Sequence, residues 1–129
     1  MGDGTELGRV RGLGPAPEGE EAWLQQRMTA VGNLLLVSFL AISLVLLPDL
    51  SYGSVIGWLR HPVPAVAMAA LVVNVFWHAR LGLSEFIGDY VHEAGNKFAA
   101  LMLVNFGAAA GIAFGLFFIL KAALGGAAV

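Results

Sequence analysis

The sequence contains no cysteine. Disulfides, Cys-ligated zinc and a Cys-held iron–sulfur cluster are therefore excluded within the chain. Charge is scarce too. Only 12% of the 129 residues are Asp, Glu, Lys or Arg, against about 25% in an ordinary soluble domain. The formal net charge is −2, so the basic patch that nucleic acid would require is missing. No glycine-rich phosphate loop follows a strand-like run, and no nucleophile motif is present. Any chemistry must come from a few polar side chains or from a bound cofactor.

What the chain has in excess is apolar: 58% of its residues are hydrophobic, and they fall into three long blocks. A soluble domain of this size needs polar residues on one face of every element. Here those faces are missing, which is the pattern of a small polytopic membrane protein. The expected fold is an all-α membrane protein with three transmembrane helices and a mobile N-terminal tail.

Residues 1–21, "MGDGTELGRVRGLGPAPEGEE", are rich in Gly and Pro and have no apolar periodicity. They are expected to form an exposed, flexible tail. No apolar core follows Arg9 and Arg11, so a cleavable signal peptide is not expected. Asp3, Glu6, Glu18, Glu20 and Glu21 speak against a transit peptide. Residues 22–129 make up the membrane domain, with spans expected over about 28–47, 63–88 and 97–121. The first span is uncharged and ends at Pro48; about 20 residues at 1.5 Å rise cover ~30 Å of hydrocarbon. Trp23 stands at its entry, at interfacial depth. The connection Pro48–Pro62 carries turn residues and room for a short helix around Ser54–Arg60. The third span holds Gly107, Gly111 and Gly115, a small-xxx-small face that allows close helix approach. Arg9, Arg11, Arg27 and Lys97 lie on one side of the spans, Arg60 and Lys121 on the other. That bias puts the N-terminus and the Asp89 loop in the cytoplasm.

The second span is unusual at one end. Phe76–Gly95, "FWHARLGLSEFIGDYVHEAG", carries two His, one Arg, two Glu, one Asp and one Tyr. An ionisable residue inside a span is costly and points to function by default. Two readings of His78 are open. It could ligate haem iron, or it could simply hydrogen-bond to a neighbouring helix. If it binds a six-coordinate haem, the partner ligand is hard to find within the chain. His61 lies 17 residues earlier and His92 14 residues later, ~25 Å and ~21 Å along a continuous helix. A second ligand would then come from another chain. Helix geometry puts Glu85 and Asp89 within about 20° of His78, with Gly82 on the same side. This stripe should face protein or cofactor rather than lipid. Tyr90 follows at the surface, either as a donor to a carbonyl ligand or as an ordinary interfacial aromatic. Arg27 is open to two roles, a snorkelling cation or a partner for a carboxylate; Arg80 is open to the same two. Asn33 and Asn74 are expected to make interhelical hydrogen bonds.

These residues resemble a known family. "HARLGLSEFIGDYV" (His78–Val91) is similar to the signature of the small membrane-anchor subunit of succinate dehydrogenase, respiratory complex II. That signature has a His, a Gly four residues on, and an Asp-Tyr pair eleven and twelve residues after the His; His78, Gly82, Asp89 and Tyr90 match it. "WLQQRMTAV" (Trp23–Val31) resembles the same subunit's entry to its first span, and "LGRVRGLG" (Leu7–Gly14) the tail of bacterial members. Where many relatives carry His-Trp-Trp before the Gln-Arg, this chain has Ala22-Trp23-Leu24, so any polar contact of that His is absent.

The resemblance implies roles. His78 would be one axial ligand of haem b, the other coming from the larger cytochrome b anchor subunit. Tyr90 would hydrogen-bond a ubiquinone carbonyl near the docking surface of the iron–sulfur subunit, with Asp89 in support. Arg27 would lie near a haem propionate or the quinone pocket. The chain would be non-catalytic alone. It would sit in a bacterial inner membrane, receiving electrons from succinate through the flavoprotein and iron–sulfur subunits. Two alternatives remain at this point: the anchor of a quinol:fumarate reductase, and a haem-free three-span assembly or transporter subunit.

Overall fold

The computed structural model describes Glu6 and residues 16–125. Four helices order these residues: α1 (Ala16–Val45), α2 (Tyr52–Leu59), α3 (Pro62–Tyr90) and α4 (Ala94–Leu124). Helices α1, α3 and α4 are each long and apolar enough to cross a membrane. The all-α, three-span architecture expected from the apolar blocks is the one observed. The 29 residues of α3 extend ~43 Å, so its ends project beyond a hydrocarbon layer of ~30 Å or the helix tilts within it.

Helix α1 starts earlier than the sequence pattern suggests. Residues 1–15 of the expected tail lie outside the described residues except for Glu6, but residues 16–21 are helical. Extending a helix already nucleated by the span adds one hydrogen bond per residue fixed. The extension also gains a side-chain bond, Gln25 Nε2 donating to Glu21 Oε1 at 3.5 Å, one turn apart. At the other end, Leu46 and Leu47 fall in a closing turn in which Leu47 N donates to Leu44 O. Pro48 disfavours the α conformation in the residue before it, so α1 stops short of the expected span end.

The α1–α2 connection is organised by Asp49. Its Oδ1 accepts from the Ser51 amide at 2.9 Å and from the Ser51 hydroxyl. Ser51 in turn caps α2, its Oγ accepting from Ser54 N at 3.4 Å. The Ser51 hydroxyl, then Ser54 and the Ser51 amide, hold the exposed Asp49 carboxyl down to about 2. Two residues separate α2 from α3, which opens with Pro62 in its first turn, where a missing N–H leaves nothing unsatisfied. Arg60 Nη2 donates to Gly125 O at 3.1 Å, tying this connection to the C-terminal end of α4. On the opposite side, Glu93 caps α4 by accepting from Gly95 N at 2.9 Å and Asn96 N at 2.8 Å.

Helix α3 is the centre of the fold. It packs on α1 along one side and on α4 along another, while among the described residues no comparable interface joins α1 to α4. The interfaces are thin and built around small residues. Gly111 and Gly115 of α4 receive the Phe76 ring and the Val72 side chain of α3, whereas Gly107 meets nothing within 4 Å. Few side chains are buried: among the apolar ones, Leu40, Leu59, Ala67, Ala108, Ile87 and Ile119. Large apolar residues such as Leu34, Leu103, Phe106 and Phe117 point outward. In water this would be an aggregating surface. In lipid it costs nothing, and close packing with interhelical hydrogen bonds becomes what holds the spans together.

Candidate functional site

The α1–α3 interface is held by a polar ladder that runs between two apolar spans. Asn74 of α3 donates from Nδ2 to the Thr29 carbonyl at 2.7 Å and to Asn33 Oδ1 at 2.8 Å. Gly32 makes room for it, because a Cβ there would stand 2.8 Å from Asn74 Nδ2. One turn further along α3 lies His78. Its Nδ1 is 2.8 Å from the hydroxyl of Thr29, a side chain that is 9% exposed. Gly82, a turn beyond His78, faces Gln26 of α1. His78 and Gly82 therefore share the face that looks onto α1, as their spacing implies.

His78 is half-buried, and its Nε2 makes no hydrogen bond among the described residues. His61 is the exposed N-cap of α3, and His92 lies exposed in the turn before α4. Neither approaches His78 along the chain. Among the described residues, no group of three His, Asp or Glu side chains converges to hold a metal ion. His78 is, among the described residues, the one histidine held between two spans.

The rest of the stripe is not covered. Glu85, Asp89 and Tyr90 are exposed at the foot of α3. The Tyr90 ring stacks on Phe86, centroids 4.6 Å apart, and its hydroxyl has no hydrogen-bond partner among the described residues. Arg27 is also exposed, its guanidinium 5.2 Å from the centroid of the Trp23 ring. No ion pair or hydrogen bond joins Arg27, His78, Asp89 and Tyr90 to one another among the described residues. The four lie instead along one end of the α1–α3 pair, His78 within it and the other three open to whatever adjoins it.

Arg80 is turned away from this group. It donates from Nε to Asn105 Oδ1 on α4 and stacks over Trp77, 4.9 Å from the ring centroid. A side chain two residues from His78 on a helix points to the opposite flank, and here that flank is the α4 side. Arg80 is therefore a tie between α3 and α4, separate from the face that carries His78.

Thr29 is the site residue to which the sequence assigned no role. It sits in the quoted "QRMTA" stretch, but a lone threonine in an apolar span carries no signal of its own. Only its pairing with a residue 49 positions away reveals it.

A three-span helical membrane protein, with an imidazole held between two spans and a carboxylate and phenol open at the foot of the central one, is the class so defined. Residues 1–114 match the model for the succinate dehydrogenase/fumarate reductase transmembrane subunit, and the chain belongs to that family. Among similar proteins is the succinate dehydrogenase hydrophobic membrane anchor subunit of Rickettsia bellii (strain RML369-C). It is 31% identical over 88 residues, covering 67% of this chain and 70% of the relative. The chain is thus a multi-pass membrane anchor of this family, in place of an unrelated assembly or transporter subunit.

Proposed function

We propose that this chain is the small anchor of a succinate:ubiquinone oxidoreductase in a bacterial inner membrane, with its N-terminus cytoplasmic. In this reading it joins a larger cytochrome b anchor subunit in the bilayer and docks an iron–sulfur subunit and a flavoprotein subunit at its cytoplasmic face. The family covers both succinate dehydrogenases and fumarate reductases; the similarity to the Rickettsia succinate dehydrogenase anchor supports the succinate direction. The distribution of Lys and Arg supports the orientation.

The observation that carries the reading is His78. It is a half-buried imidazole within a span, with one ring nitrogen bonded across the helix interface and the other unbonded among the described residues. That fits a single axial ligand to haem b, with the second ligand on the larger anchor subunit. Haem, when bound, supplies a one-electron carrier within the membrane. The chain's own residues do the rest. Gly82, one turn from His78, adds no side chain of its own beside Gln26 of α1. Arg27, at the membrane entry, is placed to pair with a propionate or to line the quinone pocket. The Tyr90 hydroxyl donates a hydrogen bond to a ubiquinone carbonyl oxygen, orienting the ring for reduction. Asp89, exposed at the same end of α3, supports the site and offers a route for protons from the cytoplasmic surface.

The direct test is the haem spectrum of the assembled complex carrying His78→Leu. Loss or alteration of the b-type spectrum is expected. An unchanged spectrum together with an unchanged midpoint potential would remove the ligand assignment.

A further inference from the structure

Thr29 is engaged more fully than a threonine in a span needs to be. Its Oγ1 lies 2.8 Å from the carbonyl of Gln25, 3.1 Å from that of Gln26, and 2.8 Å from His78 Nδ1. A hydroxyl has one proton to give, and a carbonyl oxygen can only accept. The arrangement that satisfies every atom of the Thr29 contact gives that proton to the preceding turn of α1, a usual back-bond for a helical threonine. The oxygen's lone pairs are then left for His78, and Nδ1 must bring the proton to that contact.

The opposite arrangement fares worse. If the hydroxyl donated to a bare Nδ1, its lone pairs would face two carbonyl oxygens. The imidazole proton would then sit on Nε2, which has no acceptor among the described residues. A donor without an acceptor inside a span is costly.

The position of the hydroxyl is itself fixed. Asn74 grips the Thr29 carbonyl and Asn33 together, and Gly32 admits it, so the register of α1 against α3 is set within one turn of the His78 contact. We infer that Thr29 is a positioning residue for His78. Its hydroxyl holds the imidazole in the Nδ1–H tautomer and fixes the ring plane, so that Nε2 presents its lone pair. The inference rests on reading His78 as an axial ligand. An accepting partner at the remote ring nitrogen orients such a ligand and makes it a stronger electron donor.

The test uses the assembled membrane complex with Thr29→Val, which keeps the shape and removes the acceptor, and Thr29→Ser, which restores the hydroxyl. Haem midpoint potential and the low-spin ferric electron paramagnetic resonance spectrum are read, with succinate-to-dye turnover as the control for the soluble subunits. A weaker donor stabilises ferric iron less, so Thr29→Val should raise the potential and shift the g-values as the ring is released. Thr29→Ser should return both toward wild type. Identical potential and g-values in Thr29→Val and wild type would overturn the inference. So would a shift that Thr29→Ser shares in full. If Thr29→Val prevents assembly, Thr29→Cys, of similar size but a weak acceptor, takes its place under the same criteria. His78→Leu is run alongside. An unchanged haem spectrum there removes the ligand reading, whereas a changed one with a silent Thr29→Val removes only the role given to Thr29.

Discussion

The ring of Phe76 occupies the space that a side chain at position 111 would need. One turn along, Val72 does the same at Gly115, where an added Cβ would lie 2.6 Å from Val72 Cγ1. Gly107, the third member of the series, has nothing within 4 Å. Helix propensity alone would reward alanine at all three by up to about 1 kcal/mol. Packing reverses the sign at two of them. Gly111→Ala and Gly115→Ala should destabilise the α3–α4 pair by about 1–3 kcal/mol, as overfilling of a packed contact does. Gly107→Ala should be neutral or slightly stabilising. Thermal unfolding of the purified protein in detergent checks this, and equal losses at all three positions would contradict the packing.

Asn74 bridges the α1–α3 interface by hydrogen bonds. Its amide satisfies two acceptors at once, the Thr29 carbonyl and Asn33 Oδ1. Interhelical hydrogen bonds in membranes contribute about 0.6 kcal/mol each on average, and up to about 1.7. Asn74→Ala should therefore cost about 1–2 kcal/mol. Gly32→Ala, which drives a methyl into Asn74 Nδ2, should produce a similar loss. Because both act through the same side chain, the double variant should lose clearly less than the two single losses combined. Additivity measured by the same unfolding transition would show that Gly32 acts through something other than Asn74.

How far the sequence led differs between fold and site. The three spans were legible because uncharged blocks of this length have few other fates, and the turn residues between them marked α2. The end of α1 at the tail was not, because a Gly- and Pro-containing stretch reads as coil unless a long helix next to it propagates into it. At the site, helical spacing placed His78 and Gly82 on one face, and Asn33 and Asn74 were marked as hydrogen-bonding residues by being polar within apolar runs. Thr29 was hidden because threonine is common in spans and its partner is far away in sequence. Likewise the glycine spacing announced a close-packing face, but not that a phenylalanine and a valine of α3 fill it. Arg80 read as a snorkelling cation or a carboxylate partner; its link to Asn105 depends on how α3 and α4 are rotated, which no local pattern encodes.

Glu93 gives the fold a pH-dependent element outside the bilayer. The backbone amides of Asn96 and then Gly95 hold its carboxyl below the usual range. A carboxylate whose pKa is depressed in the folded state stabilises that state above its unfolded pKa, about 4.3. The contribution fades as pH falls through the lower folded value. Glu93→Gln should therefore lower the melting temperature at pH 6–7, about two units above that unfolded value. The gap to wild type should close progressively in more acidic buffer. Melting curves of the two proteins across this range decide it. A gap that stayed constant into acid would mean that the cap works through shape alone.

The foot of α3 carries an aromatic pair open to its surroundings. Tyr90 is exposed, stacked on Phe86 and without a partner for its hydroxyl among the described residues. Removing only the oxygen leaves the stacking area intact, so Tyr90→Phe should assemble and melt like wild type. If the hydroxyl donates to a quinone carbonyl, what is lost is a hydrogen bond that positions the substrate. Loss of one such bond to a reacting centre commonly lowers turnover by about 10²-fold. Succinate-to-ubiquinone activity should therefore fall steeply, while succinate-to-dye activity, which leaves the flavoprotein and iron–sulfur subunits to act alone, stays unchanged. Asp89→Asn should reduce the quinone rate less, since Asp89 neighbours Tyr90 in sequence and is not itself the donor. A Tyr90→Phe complex with full activity toward both acceptors would place the quinone elsewhere, and Phe86 and Tyr90 would then be an ordinary interfacial pair.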